Sequence, residues 1–233
     1  MKKIFINYSL LLILFLTGFS LSAQTKKEKT VKAKGDNVAM YNSTENKKAM
    51  EYYNKGEDYS VKRDFKPAIK WYKKAIEEDP KFVEAYDNLG VAYRNIGDFD
   101  NAKKMYNKSI ELYPEGKMAH QNIGLIYTIE KNYEMALKEY GAVQKIDSTD
   151  AEGYYGTIQI YLNMKNYPMA IKSSAKTLEI YEATNNRFLS DAQYMLGLSY
   201  YLNGDKKNAT IYFKQAKNNG VKIPKELSDE LGL

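Results

Sequence analysis

The chain has no cysteine and a single histidine. The first absence excludes disulfides, zinc–thiolate sites, a cysteine nucleophile and lipid attachment through a cysteine. The second leaves His120 alone, which excludes any metal site needing two imidazoles and weakens most acid–base schemes built on histidine. A glycine-rich phosphate loop, a nucleophile elbow and a His-Glu-x-x-His pair are also missing. Carboxylates do cluster at Asp147, Asp150 and Glu152, but without the alternate ligands and central glycine of a calcium loop. A helix junction in which Asp150 caps the following helix accounts for them. His120 reads as a core-filling residue. No cofactor or metal is implied, and an enzyme is not the expected class.

Net charge is missing from most of the chain as well. The formal total is +6, yet residues 49–233 hold 26 basic and 26 acidic residues. The excess comes from Lys2, Lys3 and residues 24–48, where seven lysines stand against Glu28, Asp36 and Glu45. A nucleic-acid binder needs a basic excess on its folded part, so nucleic acid is not an expected partner. Residues 1–23 combine Lys2 and Lys3 with an apolar run from Tyr8 to Leu16 that continues to Leu21 and ends in Ser22 and Ala23. This pattern predicts a secretory signal peptide cleaved after Ala23; an uncleaved membrane anchor is the alternative, although the run is short for a span. Export to the periplasm or cell envelope follows from either reading. Residues 24–41 are lysine-rich and poor in large apolar groups, which predicts a disordered tail. It serves as a spacer or, alternatively, touches an anionic membrane surface.

What the rest of the chain has is a period. Ala68, Ala102, Ala136 and Ala170 are each 34 residues apart, as are Tyr59, Tyr93, Tyr127 and Tyr161. The aromatics Phe65, Phe99, Tyr133 and Tyr167 keep the same step, and so do Gly56, Gly90 and Gly124. A period of this length signals a solenoid built from one repeated unit. Within the second unit Tyr86, Leu89, Gly90 and Tyr93 mark one helix face. Asn95 to Asp98 break it, Phe99, Ala102 and Tyr106 begin a second helix, and Pro114 ends that helix. Each unit is therefore a helix–turn–helix pair. Glycine inside a helix costs about 0.5–1 kcal/mol against alanine. Its recurrence predicts a close helix approach, with the second-helix alanines as the matching contact.

These residues resemble the tetratricopeptide repeat (TPR) family, in its exported bacterial form. The second unit carries the signature most fully in Tyr86, Leu89, Gly90, Tyr93, Ala102, Tyr106 and Pro114. The fourth departs most, with Ile158 at the glycine register and Ser174 at an aromatic one. The resemblance implies an all-α, right-handed α-solenoid of about five repeats over residues 42–233. The intervals are 49–82, 83–116, 117–150, 151–184 and 190–223, with a short capping helix in 224–233. Asn42 is a candidate first N-cap with Glu45 as its capping-box partner. Five residues are inserted near Thr184 to Arg187, since Tyr161 and Tyr200 are 39 apart.

In TPR proteins the first helix of each pair lines the concave wall. Carried over register by register, the resemblance implies a partner-binding groove lined by Tyr53, Asn54 and Glu57; Asp87, Asn88, Arg94 and Asn95; Gln121, Asn122 and Leu125; Tyr155, Gln159 and Asn163; and Tyr194, Leu198 and Tyr201. Asn54, Asn88 and Asn122 repeat at the 34-residue step. They serve either to bind the backbone of an extended peptide or to tie one repeat to the next. A clamp for an acidic chain end is not expected, because Val61, Asn95 and Ile129 occupy its basic positions and only Arg94 is nearby. The expected function is a non-enzymatic adaptor of the cell envelope whose partner is a protein or peptide. The alternatives are a structural subunit of a larger envelope complex or a glycan-binding module.

Overall fold

A computed structural model describes residues 44–233, so the expected leader (1–23), the tail (24–41) and the candidate cap Asn42 lie outside the described residues. Among the described residues there are eleven helices and no strand. They are α1 Lys47–Val61, α2 Phe65–Glu78, α3 Val83–Asn95, α4 Phe99–Leu112, α5 Lys117–Ile129, α6 Tyr133–Ile146, α7 Ala151–Asn163, α8 Tyr167–Ala183, α9 Leu189–Leu202, α10 Lys206–Asn218 and α11 Lys225–Leu231. Consecutive helices pack in pairs, and each pair packs on the next, which makes an α-solenoid.

The first described helix starts later than Asn42 and Glu45 suggest. Its N-cap is Asn46, whose side chain accepts from the backbone N–H groups of Lys48 and Ala49. Glu45 precedes that cap, so no capping box forms there. The second helices share a cap register that periodicity of the apolar residues does not reveal: Asp64, Asp98, Asn132, Asn166 and Asp205. Asp98 accepts from Asn101 N–H at 3.2 Å, Asn132 from Met135 at 3.4 Å, Asn166 from Met169 at 3.3 Å and Asp205 from Asn208 at 3.0 Å. Each bond satisfies a donor that the first helical turn leaves open. Just before each cap the backbone turns left-handed, at Arg63, Gly97, Lys131, Lys165 and Gly204. Three non-glycine residues thus sit in a conformation that favours glycine.

The period is written in glycines because of aromatic rings. A Cβ on Gly56 would stand 2.5 Å from Tyr72 Cε1, one on Gly90 2.6 Å from Tyr106 Cε1, one on Gly124 3.0 Å from Tyr140 Cε2, and one on Gly197 3.0 Å from Phe213 Cδ1. The expected glycine–alanine contact is corrected by these distances: the glycines receive a fully buried aromatic from the second helix. Such a ring buries roughly 150–250 Å², a gain that outweighs the helix penalty of glycine. Ala68, Ala102, Ala136, Ala170 and Ala209 are themselves fully buried within the second helices.

In the fourth pair the bulk changes sides. Ile158 on α7 holds the glycine register and Ser174 on α8 the aromatic one, and both are fully buried. Around them the interior is unusually polar. Thr157 Oγ1 donates to Ser173 Oγ at 2.8 Å, and the Ser174 and Ser199 hydroxyls lie 3.2 Å apart. The inserted residues lengthen α8 to 17 residues and form the turn that follows it. Asn185 there has φ of 50°, and Asn186 Oδ1 accepts from Phe188 N–H at 2.9 Å. At the C-terminus α11 closes the stack, with Leu227 buried and Pro224 standing as N-cap. Glu230 of α11 ties it down, accepting from the Tyr201 hydroxyl at 2.7 Å and pairing with Lys206 at 2.7 Å.

Candidate functional site

The first helices form an inner wall. α3 touches α5 directly and α5 touches α7, whereas second helices of successive pairs do not reach one another to the same extent. The side on which alternate helices approach is the compressed, concave side. The residues that the resemblance assigns to a groove therefore sit on α1, α3, α5, α7 and α9, and the structure sorts them.

At the start of the wall three of them form one network. Asn88 Nδ2 donates to the Tyr53 hydroxyl at 2.6 Å and to Glu57 Oε1 at 2.9 Å, across the seam between the first two pairs. The Tyr72 hydroxyl also donates to the Glu57 carboxylate. Tyr53 packs on Phe82 with ring centroids 4.9 Å apart. Burial pushes the Tyr53 phenol well above its ordinary range, and the negative charges of Glu57 and Glu84 add to this. Asn54 lies exposed.

The amide series does not continue as a uniform ladder. Asn88 bridges two pairs, but Asn122 is buried and donates to Met118 O of its own helix at 2.9 Å. The next register holds Gly156. A Cβ there would lie 2.2 Å from Tyr140 Cε1, so the preceding pair's ring leaves no room for an amide. Gln159 is likewise buried and donates to Asn163 Oδ1 at 3.1 Å. Gln121 and Arg94 are half-buried on the wall. Arg94 lies near enough to Tyr106 to offset part of the upward shift that burial gives that phenol.

Toward the C-terminal end the wall is tyrosine-rich. Tyr155 and Tyr194 are half-buried, and burial raises both phenols. Tyr194 meets Phe213 edge-on at 5.4 Å. Tyr201 differs from them, since its hydroxyl is held by Glu230 of the capping helix. His120 is more than apolar filling: its Nδ1 lies 2.7 Å from Glu139 Oε2, linking α5 to α6.

The register transfer assigned the carboxylates Glu57 and Asp87 to the wall but passed over three more. Glu84, Glu152 and Asp191 each occupy the second position of their repeat, so the signal was legible as a recurrence of acidic residues at one register. Burial raises Glu84, and the nearby Asp87 and Glu57 raise it further. Burial likewise raises Glu152, with Asp150 adding to the shift and the Tyr181 hydroxyl, 3.3 Å away, opposing it. Asp191 is exposed at the surface, and the protein packed around it still raises its carboxyl by displacing part of its water. Asp150 itself caps α7 by accepting from Glu152 N–H at 2.9 Å, and Lys117 pairs with both Asp147 and Asp150. Among the described residues no group of three or more His, Asp or Glu side chains is placed to hold a metal ion. No described helix is long and apolar enough to cross a membrane.

Family models of the tetratricopeptide repeat match residues 64–97, 83–115, 119–150 and 191–219. These stretches leave out the whole of α7 and α8, the pair in which the bulk is exchanged. No curated protein matches the chain. Among solved structures, MamA is similar with a TM-score of 0.62 at 27% identity, over 70% of this chain and 92% of that one. PilF of Pseudomonas aeruginosa gives a TM-score of 0.67 at 19% identity, over 79% of this chain and 82% of that one. YrrB, described as a TPR protein with an unusual peptide-binding site, gives 0.58 at 20% identity, over 74% and 86%. The period, the paired helices, the glycine–aromatic contacts and the repeat models agree: the chain belongs to the tetratricopeptide-repeat family.

Proposed function

We propose that this protein is a non-enzymatic adaptor that binds a segment of another protein along the wall of first helices. The observation that carries this reading is the combination of half-buried tyrosines with a bonded polar network along that wall. Tyr53, Tyr155 and Tyr194 offer rigid area with a polar edge, as interface tyrosines do. Asn88, Glu57 and Arg94 supply fixed hydrogen-bonding groups between them. The peptide-binding site ascribed to YrrB, a protein of similar fold, supports the same use of this one. The lysine-flanked apolar leader in residues 1–23 supports placing the adaptor in the cell envelope.

The test is capture of partners from an envelope extract by the chain and by its Tyr155→Ala/Tyr194→Ala variant. A stoichiometric protein retained by the first and lost by the second is the expected outcome, with an unchanged circular dichroism spectrum. Retention of every partner by the double variant rejects the groove. Fractionation of cells expressing the full chain tests the location: recovery in the cytosol rejects an envelope role.

A further inference from the structure

The groove has a sign. Residues 49–233 are electrically neutral as a whole, but the two helix layers are not. The second helices α2, α4, α6, α8 and α10 carry 15 basic and 8 acidic residues, whereas the first helices carry 5 basic and 7 acidic. The division is sharper on the wall itself, where Glu57, Glu84, Asp87, Glu152 and Asp191 face a single cation, Arg94. Among the described residues every lysine that forms an ion pair does so elsewhere, as in Lys103–Glu130, Lys117–Asp147 and Lys206–Glu230. None pairs with Glu57, Glu84, Glu152 or Asp191. Glu57, Glu84 and Glu152 are half-buried, and a carboxylate that loses water without gaining a cation is held at a cost; Asp191 is exposed.

We infer that the groove takes an extended, lysine- or arginine-rich segment of a partner protein, with cationic side chains over the Glu57–Glu84 seam and over Glu152 and Asp191. The inference rests on the proposed function, since it presumes that the first-helix wall is the binding face. It deepens that reading by naming the chemistry of the partner. A cation brought to Glu84 offsets the repulsion it receives from Glu57 and Asp87, a gain that an acidic or neutral segment lacks. The tyrosines favour the same ligand, because Tyr53, Tyr155 and Tyr194 give ring faces to aliphatic stems and to guanidinium planes. Packed helices stand roughly 8–10 Å apart, and an extended chain advances about 3.3 Å per residue. Positive residues about three apart therefore meet successive pairs of the solenoid.

The experiment uses the full chain and fluorescence anisotropy with labelled peptides of about twelve residues. One carries lysine at every third position among alanines; in its counterparts those lysines are glutamine or glutamate. The lysine peptide is expected to bind at least about tenfold tighter than the glutamine peptide, with the advantage lost in high salt. Glu84→Gln/Glu152→Gln is expected to abolish that advantage, while Glu134→Gln/Glu182→Gln, on the second helices, leaves it intact. Thermal melts confirm that the variants stay folded. If the glutamine peptide binds equally well and depends on Tyr155 and Tyr194, the charge preference is overturned while the groove reading stands. If no peptide of any composition binds, either to the chain or to a variant in which Lys26, Lys27, Lys29, Lys32 and Lys34 are glutamine, both fall. Binding that emerges only after Lys26, Lys27, Lys29, Lys32 and Lys34 are changed to glutamine would mean that the wall is filled by this chain's own lysine-rich segment, which overturns a foreign partner.

Discussion

Tyr140 is held between two glycines from different repeats, Gly124 of its own pair and Gly156 of the next. A Cβ would approach its ring to 3.0 Å at the first and to 2.2 Å at the second. The same ring thus fixes both the angle within a pair and the stacking of one pair on the next. Sequence periodicity shows only the first of these contacts, because Gly156 lies outside the 34-residue glycine register.

Gly156→Ala is expected to destabilise the protein by about 1–3 kcal/mol through overpacking. Gly141, in α6, has no neighbour within 4 Å of the point where a Cβ would stand, so Gly141→Ala is expected to stabilise by up to about 1 kcal/mol through helix propensity alone. Thermal melts of the two variants should move in opposite directions. A common direction would sink the steric account.

The exchange of bulk in the fourth pair predicts coupling between Ile158 and Ser174. Ile158→Gly alone should cost about 2–5 kcal/mol as a cavity, and Ser174→Tyr alone about 1–3 kcal/mol as overpacking. Combined, they rebuild the arrangement of the other four pairs. The double variant should be more stable than the two single losses imply, by an interaction of about 0.5–3 kcal/mol in a denaturant-based mutant cycle. Simple additivity would mean that the two registers do not compensate each other.

Lys131 has φ of 60° at the register where Gly97 and Gly204 stand in other turns. A left-handed side chain costs roughly 1–2 kcal/mol, and glycine's extra freedom in the unfolded chain returns about 0.4–1 kcal/mol of that. Lys131→Gly is therefore expected to raise stability slightly, by up to about 1 kcal/mol, without altering the helix content. A fall in the melting temperature would show that the Lys131 side chain makes a contact worth more than its backbone strain.

Lys117 and the Thr149 hydroxyl hold the Asp147 carboxyl down at about 2, from an ordinary value of 3.8. A lowered acid stabilises the fold above its unfolded value and loses that contribution as pH falls through its folded value. The contribution from Asp147 is thus complete above about pH 4 and disappears between about pH 4 and 2. Asp147→Asn should flatten this part of the acid limb in stability-versus-pH measurements and leave the neutral plateau lower. An acid limb of unchanged shape would reject the linkage.

The solenoid is legible in the sequence because its cause is local and repeated. Four of the five helix pairs meet the same steric problem, and the same glycine, alanine and aromatic registers solve it. Boundaries within a pair are legible for a similar reason, since Asn95 to Asp98 and Pro114 mark breaks that any helix must respect. The first described helix is capped by Asn46, and the sequence singles out Asn42 instead because both are asparagines ahead of a helical pattern. Only the bonds from Lys48 and Ala49 distinguish them.

The candidate site is legible only as a set of registers. Composition and period alone determined that this is an all-helical repeat protein, that it holds no thiol chemistry, and that its net charge lies outside residues 49–233. What tertiary structure decided is which members of a register remain available. Asn88 reaches across a seam, Asn122 turns back on its own helix, and Gly156 yields its place to Tyr140. Register fixes the direction of a side chain within its own helix. The neighbouring pair, placed by long-range packing, decides whether water, another side chain or a partner meets it.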